Sequence, residues 1–301
     1  MHAELDASTT ITFPAGGTRA RTQVLAVLPY EDGRSGVVCR ETSFHPVDHT
    51  WPDHPADHGT LILGDRELPV VDCVIGAAPR SGGALLTGAD IPVRRGDDGW
   101  HWFVVHVVPE SGDDLVGQPV ECVVDPARRA GLSAGHTACE LVSLAINEAT
   151  SDFWTKVDRR DVRGVPDFDA AALSLSRIGV DGSVDRYRLG KSLRRKGFLA
   201  DDLRAALPDV ARTVQDRLRE WVRTDAPVRV EVGGALVEDR RTWVCELPDG
   251  AVRVPCGGTH VESTGQLGEV GVTLDLTQDG SELTMITTVR GSRPEDLRVH
   301  P

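Results

Sequence analysis

Gly135-His136-Thr137-Ala138-Cys139-Glu140 and Cys256-Gly257-Gly258-Thr259-His260 are the two stretches on which the reading of this 301-residue chain turns. In each, a side chain able to bind a metal is followed four residues later by another: His136 by Glu140, Cys256 by His260. Four residues make about one helical turn, so on a helix such a pair shares a face. Thiolate, imidazole and carboxylate are all ordinary zinc donors. About 115 residues lie between the stretches, far more than in a compact zinc finger, so folding must bring them together. A site assembled that way is more typical of an active site than of a structural clip.

The rest of the composition sets bounds. The chain is 40% hydrophobic and 26% charged, ordinary for a globular protein of one large or two modest domains. No apolar run reaches the roughly 18 residues of a membrane span. The start, Met1-His2-Ala3-Glu4-Leu5-Asp6, lacks the basic and apolar regions of a secretory signal, so a cytosolic protein with reduced thiols is expected. Cys39, Cys73, Cys122 and Cys245 read as small buried apolar residues. Cys139 points about 100° away from Glu140 on a helix and reads as lining, not ligand. The net charge of −13 argues against nucleic acid as a partner, but charge acts locally. Arg186-Tyr187-Arg188-Leu189-Gly190-Lys191-Ser192-Leu193-Arg194-Arg195-Lys196 carries six cations and no acid. By itself it is either a solvated face or a phosphate-binding arm.

Short apolar stretches at 24–28, 61–63, 70–75 and 102–108, separated by Gly, Pro and Asp turns, predict a β-rich region over 8–110. Residues 111–122 read as a connection to a second domain, 111–301. There a helix is expected from about Ser133 to Glu148, with Leu141, Leu144 and Ala145 on its apolar face. Asp201-Asp202 cap another helix, whose stripe is Leu203, Leu207, Val210, Val214, Leu218 and Trp221. Pro208 interrupts that stripe, a position where a new helix can start. Strands are expected at 228–232, 241–246 and 270–275.

The flanks of the two metal stretches carry a family resemblance. Asp125-Pro126-Ala127-Arg128-Arg129 leads into His136, and Val254-Pro255-Cys256-Gly257-Gly258-Thr259-His260-Val261 runs into Ser263-Thr264-Gly265-Gln266-Leu267-Gly268. These segments resemble the editing domain of alanyl-tRNA synthetase and its stand-alone, AlaX-type relatives, with the threonyl-tRNA synthetase editing domain a more distant cousin. The resemblance implies an α/β (α+β) protein: a small N-terminal β-barrel over 1–110, then an editing-type α/β sandwich. It implies one zinc, held by HxxxH and CxxxH elements, and hydrolysis of wrongly charged aminoacyl-tRNA. Glu140 stands where the family has its second His. Phe44, Pro46, Pro55, Asp57 and Gly59 keep the outline of a family loop of the form FxPxGGGQPxDxG, but its glycines and Gln give way to a stretch rich in His and Trp. His54 and Asp57 are thereby expected to line the substrate pocket. His45/His49 and His54/His58 make a second metal conceivable, although Pro46, Pro52 and Pro55 oppose a helix that would align them.

The chemistry follows from the donors. His136, Cys256 and His260 supply three ligands and leave an open position, as catalytic zinc needs. Glu140 is either a fourth ligand, as its aligned position implies, or a general base. Backbone amides of Gly257 and Gly258 are candidates for an oxyanion hole. Thr137 matches the family position whose hydroxyl recognises a substrate serine, or else bonds its own helix backbone. With such a partner implied, Arg186, Arg188, Lys191, Arg194, Arg195 and Lys196 become the expected tRNA contacts. The expected function is a trans-editing deacylase. Its substrate is serine or glycine on the alanine tRNA, or a threonine-like non-proteinogenic residue, such as a halogenated threonine, on its own tRNA. A silent zinc-containing tRNA-binding protein and a small-ester or amide zinc hydrolase are the alternatives.

Overall fold

The apolar stretches of the first hundred residues become strands, as their alternation requires. The structure, a computed structural model, describes residues 5–109 and 112–297. Met1–Glu4, part of the segment expected to lack a signal, and the expected boundary at 110/111 lie outside the described residues.

The chain divides into two compact units, the first comprising the residues up to Arg129 with Val230–Thr242 and Pro255–Thr259. In chain order it contains β1 (Thr10–Ile11), β2 (Arg19–Pro29), β3 (Ser35–Cys39), β4 (Glu41–Thr42), β5 (Gly59–Leu63), β6 (Arg66–Val70), β7 (Asp72–Pro79), β8 (Leu86–Thr87), β9 (Trp100–Val108) and β10 (Pro119–Val124). Eight of these form one antiparallel sheet of order β6-β5-β10-β2-β3-β9-β7-β8, while β1 and β4 make a short parallel pair. β9 is buried along almost all of its length. Trp102 and Val104 join one apolar cluster and Phe103 and Val105 the other, the two-residue period of a strand with core on both faces. Cys39, Cys73 and Cys122 are packed in the larger cluster, and burial holds the Cys73 thiol well above its usual range.

The sheet is not the closed barrel expected. Its order has ends, at β6 and β8. Only Val71 separates β6, at one end of this order, from β7, next to the other end, and its N–H donates to Val107 O of β9. The stretch expected as a connection instead contributes β10, which pairs with both β2 and β5.

A buried ion pair ties the following helix to this unit. Asp57 is 1% exposed and accepts from Arg129 Nε at 3.0 and 3.1 Å, from Arg129 Nη2, and from the His45 N–H at 2.6 Å. The Arg129 fork also donates to Gly17 O at 3.1 Å and Ser43 O at 2.7 Å. Removing one member of a buried pair typically costs about 3–5 kcal/mol, because the other charge stays behind uncompensated. Asp57, expected to line the substrate pocket, fastens the 43–57 loop through this pair.

The second unit contains Ala130–Arg229, Trp243–Val254 and the chain from His260 on. Its helices are α1 (Pro126–Ala149, which starts in the first unit), α2 (Phe168–Ala172), α3 (Lys191–Arg195) and α4 (Ala200–Arg223). α1 begins two turns earlier than the expected Ser133. The Asp125 carboxylate accepts from the Ala127 and Arg128 N–H groups at 2.9 and 3.1 Å, and Pro126 suits the first helical position. α4 is continuous through Pro208, which is exposed. Leu203, Val210, Val214, Leu218 and Trp221 are buried on both sides of the proline, and that burial outweighs one missing backbone bond. The strands β11 (Leu173–Gly179), β12 (Gly182–Arg188), β13 (Val228–Val232), β14 (Arg241–Leu247), β15 (Gly250–Pro255), β16 (Val270–Leu276) and β17 (Glu282–Val289) make a four-stranded sheet, β11-β12-β17-β16, and a three-stranded one, β13-β14-β15. Gln215 of α4 donates to Val270 O and accepts from Val272 N–H, fixing that helix on β16.

Gly135 lets α1 lie directly on the β11–β12 turn. A Cβ there would sit 2.3 Å from Gly179 O and 2.7 Å from Gly182 O. Gly135→Ala sets two effects against each other. Helix propensity gains about 1 kcal/mol, whereas overpacking costs about 1–3 kcal/mol and here meets backbone that cannot rotate away. Overpacking wins: thermal unfolding of Gly135→Ala is expected several degrees below wild type. An unchanged or higher Tm would show that α1 does not approach the turn so closely.

Candidate functional site

α1 presents His136 one residue beyond that close contact. The His136 and His260 rings stack with centroids 4.2 Å apart, and Trp243 lies 5.7 Å from His260. The donor atoms of His136, Cys256 and His260 all lie within 4.8 Å of one another. Ligands on a tetrahedral zinc, bonded at about 2.0–2.3 Å, stand roughly 3.3–3.8 Å apart, so this trio fits one ion with small side-chain adjustments. It is the one such group among the described residues; His45, His49, His54 and His58 do not form a second.

One proton decides which nitrogen His260 offers. Thr137 is fully buried, and its hydroxyl meets three partners: Ser133 O at 2.9 Å, Val261 N at 3.2 Å and His260 Nδ1 at 3.2 Å. A carbonyl can only accept and an amide N–H only donate, so the single hydroxyl proton goes to Ser133 O. His260 must then donate from Nδ1, which leaves Nε2 with its lone pair and ready to bind metal. With one proton given and two accepted, the Thr137 hydroxyl is shared among these three partners. Glu140 lies one turn beyond His136 with Oε1 3.6 Å from His136 Nε2, outside the trio.

Beside Glu140 are groups that motif reading missed. Asp185 accepts from Ser176 at 2.6 Å and Ser183 at 3.0 Å, and Cys139 Sγ is 3.7 Å from both Asp185 and Ser176. Burial, then the Asp185 charge, push the Cys139 thiol well up, so it stays protonated as lining. Tyr187 donates to Asp169 at 2.9 Å. Burial raises the Asp169 carboxyl to about 7, with Asp185 and Glu140 among the charges adding to the effect. Single acids on β12 and α2 give no motif, which is why only folding reveals them.

The Cys256–His260 segment is shaped by its first glycine. A Cβ on Gly257 would come 3.2 Å from Arg241 Nη2. Among the described residues, the Gly257 and Gly258 N–H groups donate to no protein acceptor. In the first unit His54 is 5% exposed, with Nδ1 2.8 Å from Pro55 O, Nε2 3.5 Å from Thr259 Oγ1, and its ring 4.3 Å from that of His45. Of the expected tRNA contacts, Arg186 is half-buried on β12, while Arg188, Lys191, Arg194, Arg195 and Lys196 are exposed. Arg194 is paired with Asp201 at 2.9 and 3.0 Å, and Lys196 donates to Ala171 O at 3.3 Å. Arg188, Lys191 and Arg195 make no ion pair among the described residues.

No helix among the described residues is long and apolar enough to cross a membrane. No family model matches the chain. Curated relatives do. An alanine–tRNA ligase of Ruegeria pomeroyi is 27% identical over 217 residues, 64% of this chain and 23% of the relative. One of Cutibacterium acnes is 30% identical over 222 residues, 70% of this chain and 23% of the relative. One of Kineococcus radiotolerans is 25% identical over 250 residues, 74% of this chain and 25% of the relative. The chain thus spans about a quarter of the length of these relatives. The kinship is with alanine–tRNA ligases, and it does not single out the stand-alone type.

Proposed function

We propose that this protein is a zinc-dependent deacylase that hydrolyses the ester of a mischarged aminoacyl-tRNA. The observation that carries the reading is the His136, Cys256 and His260 trio, with donors within 4.8 Å of one another, in a chain related to alanine–tRNA ligases. The resemblance to stand-alone editing proteins favours action in trans, in the cytosol, on tRNA charged by another enzyme. By the same resemblance the acyl group is serine or glycine on the alanine tRNA, or a threonine-like residue such as a halogenated threonine on its own tRNA.

Each residue has a task in this reading. His136, Cys256 and His260 hold the zinc, which when bound acidifies water or polarises the ester carbonyl. Thr137 acts through His260, whose tautomer it sets. The Gly257 and Gly258 amides, uncommitted to protein acceptors, are available to a developing oxyanion. Glu140, outside the trio, serves as general base for the attacking water. His54 lines the pocket beside Thr259. Arg188, Lys191 and Arg195 contact the tRNA backbone.

Purified protein is expected to carry about one zinc per chain, measured by elemental analysis. Cys256→Ser and His260→Ala should lose zinc and aminoacyl-tRNA hydrolysis together. A metal-free Cys256→Ser protein with full activity would refute the site.

Glu140→Gln separates base from ligand. A general base is worth on the order of 10²–10⁴-fold in rate, so this variant should keep its zinc and lose turnover by that factor. Loss of zinc from Glu140→Gln, with Glu140→His restoring metal and turnover, would make Glu140 a ligand instead.

Replacing Arg188, Lys191 and Arg195 by alanine should raise KM for charged tRNA and leave hydrolysis of a small aminoacyl ester unchanged. The log–log salt slope should fall by about one unit per lost phosphate contact. An unaltered slope would return the segment to a solvated face.

A further inference from the structure

Arg241, at the start of β14, is a buried cation that no motif announces. It is 7% exposed, and its guanidinium has no carboxylate partner among the described residues. Its Nε donates to Gly257 O at 3.2 Å and its Nη1 to Val237 O at 3.2 Å, while the guanidinium carbon lies 5.3 Å from the centre of the Phe13 ring. The backbone completes a clasp: Cys256 N–H donates to Arg241 O at 3.2 Å. One residue thus grips Cys256 through its carbonyl and Gly257 through its side chain. The glycine is what admits it, since any Cβ at 257 would crowd Nη2.

A second arginine makes this placement expensive. Arg95 donates to the same Val237 carbonyl and is paired with Asp48 at 3.0 Å. Asp239 and Asp48 are the carboxylates whose charge acts on Arg241, and the Cys256 sulfur acts on it as well. Two cations approach one carbonyl, and of the two only Arg95 has a carboxylate within hydrogen-bond distance. A purely structural clasp would be served as well by a neutral amide. A guanidinium that no carboxylate engages directly is useful where a thiolate must be held.

We propose that Arg241 is a positioning residue for Cys256: it fixes the Cys256–Gly257 backbone and sets a compensating charge beside the thiolate that binds metal. The inference rests on the zinc reading above. It assigns to Arg241 no contact with substrate. Groups behind a ligand typically account for about 10–100-fold in metal affinity.

The test uses full-length protein and the variants Arg241→Met, Arg241→Gln and Arg241→Lys. Zinc affinity is measured by competition with a chromophoric chelator. Cobalt(II) is substituted to read the thiolate-to-metal charge-transfer band, and unfolding of the metal-free proteins is followed by circular dichroism. Arg241→Met keeps only the apolar stem, and is expected to weaken zinc binding about 10–100-fold and to weaken or shift the cobalt band. Arg241→Lys restores charge and should recover most of the affinity; Arg241→Gln restores a donor alone and should recover less. Arg241→Met with wild-type affinity and an unchanged band overturns the proposal, even if its metal-free Tm is lower. Should that variant fail to fold, Arg241→Gln binding zinc as tightly as wild type overturns it equally. Wild-type protein that takes up no zinc would instead bring down the metal reading itself, an outcome distinct from a variant that matches wild type.

Discussion

The first unit depends on the Asp57–Arg129 ion pair. A guanidinium offers a rigid fork of donors, and this one spends it on Asp57, Gly17 O and Ser43 O. The carboxylate in turn accepts the His45 N–H. Three separate stretches of chain are thereby fixed to the first turn of α1. Burying two charges is costly unless every donor and lone pair is answered, and here the backbone of the 43–57 loop supplies the answers. The loop has Pro46, Pro52 and Pro55, no regular helix or strand between Ser43 and His58, and yet lies largely buried at Phe44, His45, His54 and Ala56. The pair provides the order that secondary structure does not.

The candidate site is organised by the same economy of donors and acceptors. At Thr137 one proton and two lone pairs meet three partners, and the balance leaves His260 with its outer nitrogen free to ligate. At Gly257 the missing side chain admits a guanidinium that holds the carbonyl, while the neighbouring amides stay uncommitted. Neither residue need touch a substrate to matter. The first orients a ligand; the second makes room for what orients another.

Elements set by local chemistry were legible. The stripe of α4, the strands at 228–232, 241–247 and 270–276, and the buried cysteines follow from periodicity and residue type. Misreadings came where distant contacts override local signals. Pro208 did not end α4, because the stripe continues into the core on both sides of it. Pro119–Val124 became a strand because β2 and β5 leave edges for it, which no local pattern reports. The barrel implied by resemblance opened at β6 and β8, a matter of long-range pairing.

The sequence by itself determined which side chains can bind a metal and at what spacing, since ligand chemistry belongs to residue type. It also carried the kinship with alanine–tRNA ligases, because the flanking motifs are contiguous. Only the tertiary structure decided which of those side chains meet. His136, Cys256 and His260 converge while Glu140 stands outside the trio; Asp57 turns inward to Arg129; and Arg241, remote from every motif, reaches Gly257. The physical reason is common to all three. A burial or a hydrogen bond is a property of two groups brought together in space, and one-dimensional spacing specifies partners only as far as a helical turn or a strand extends.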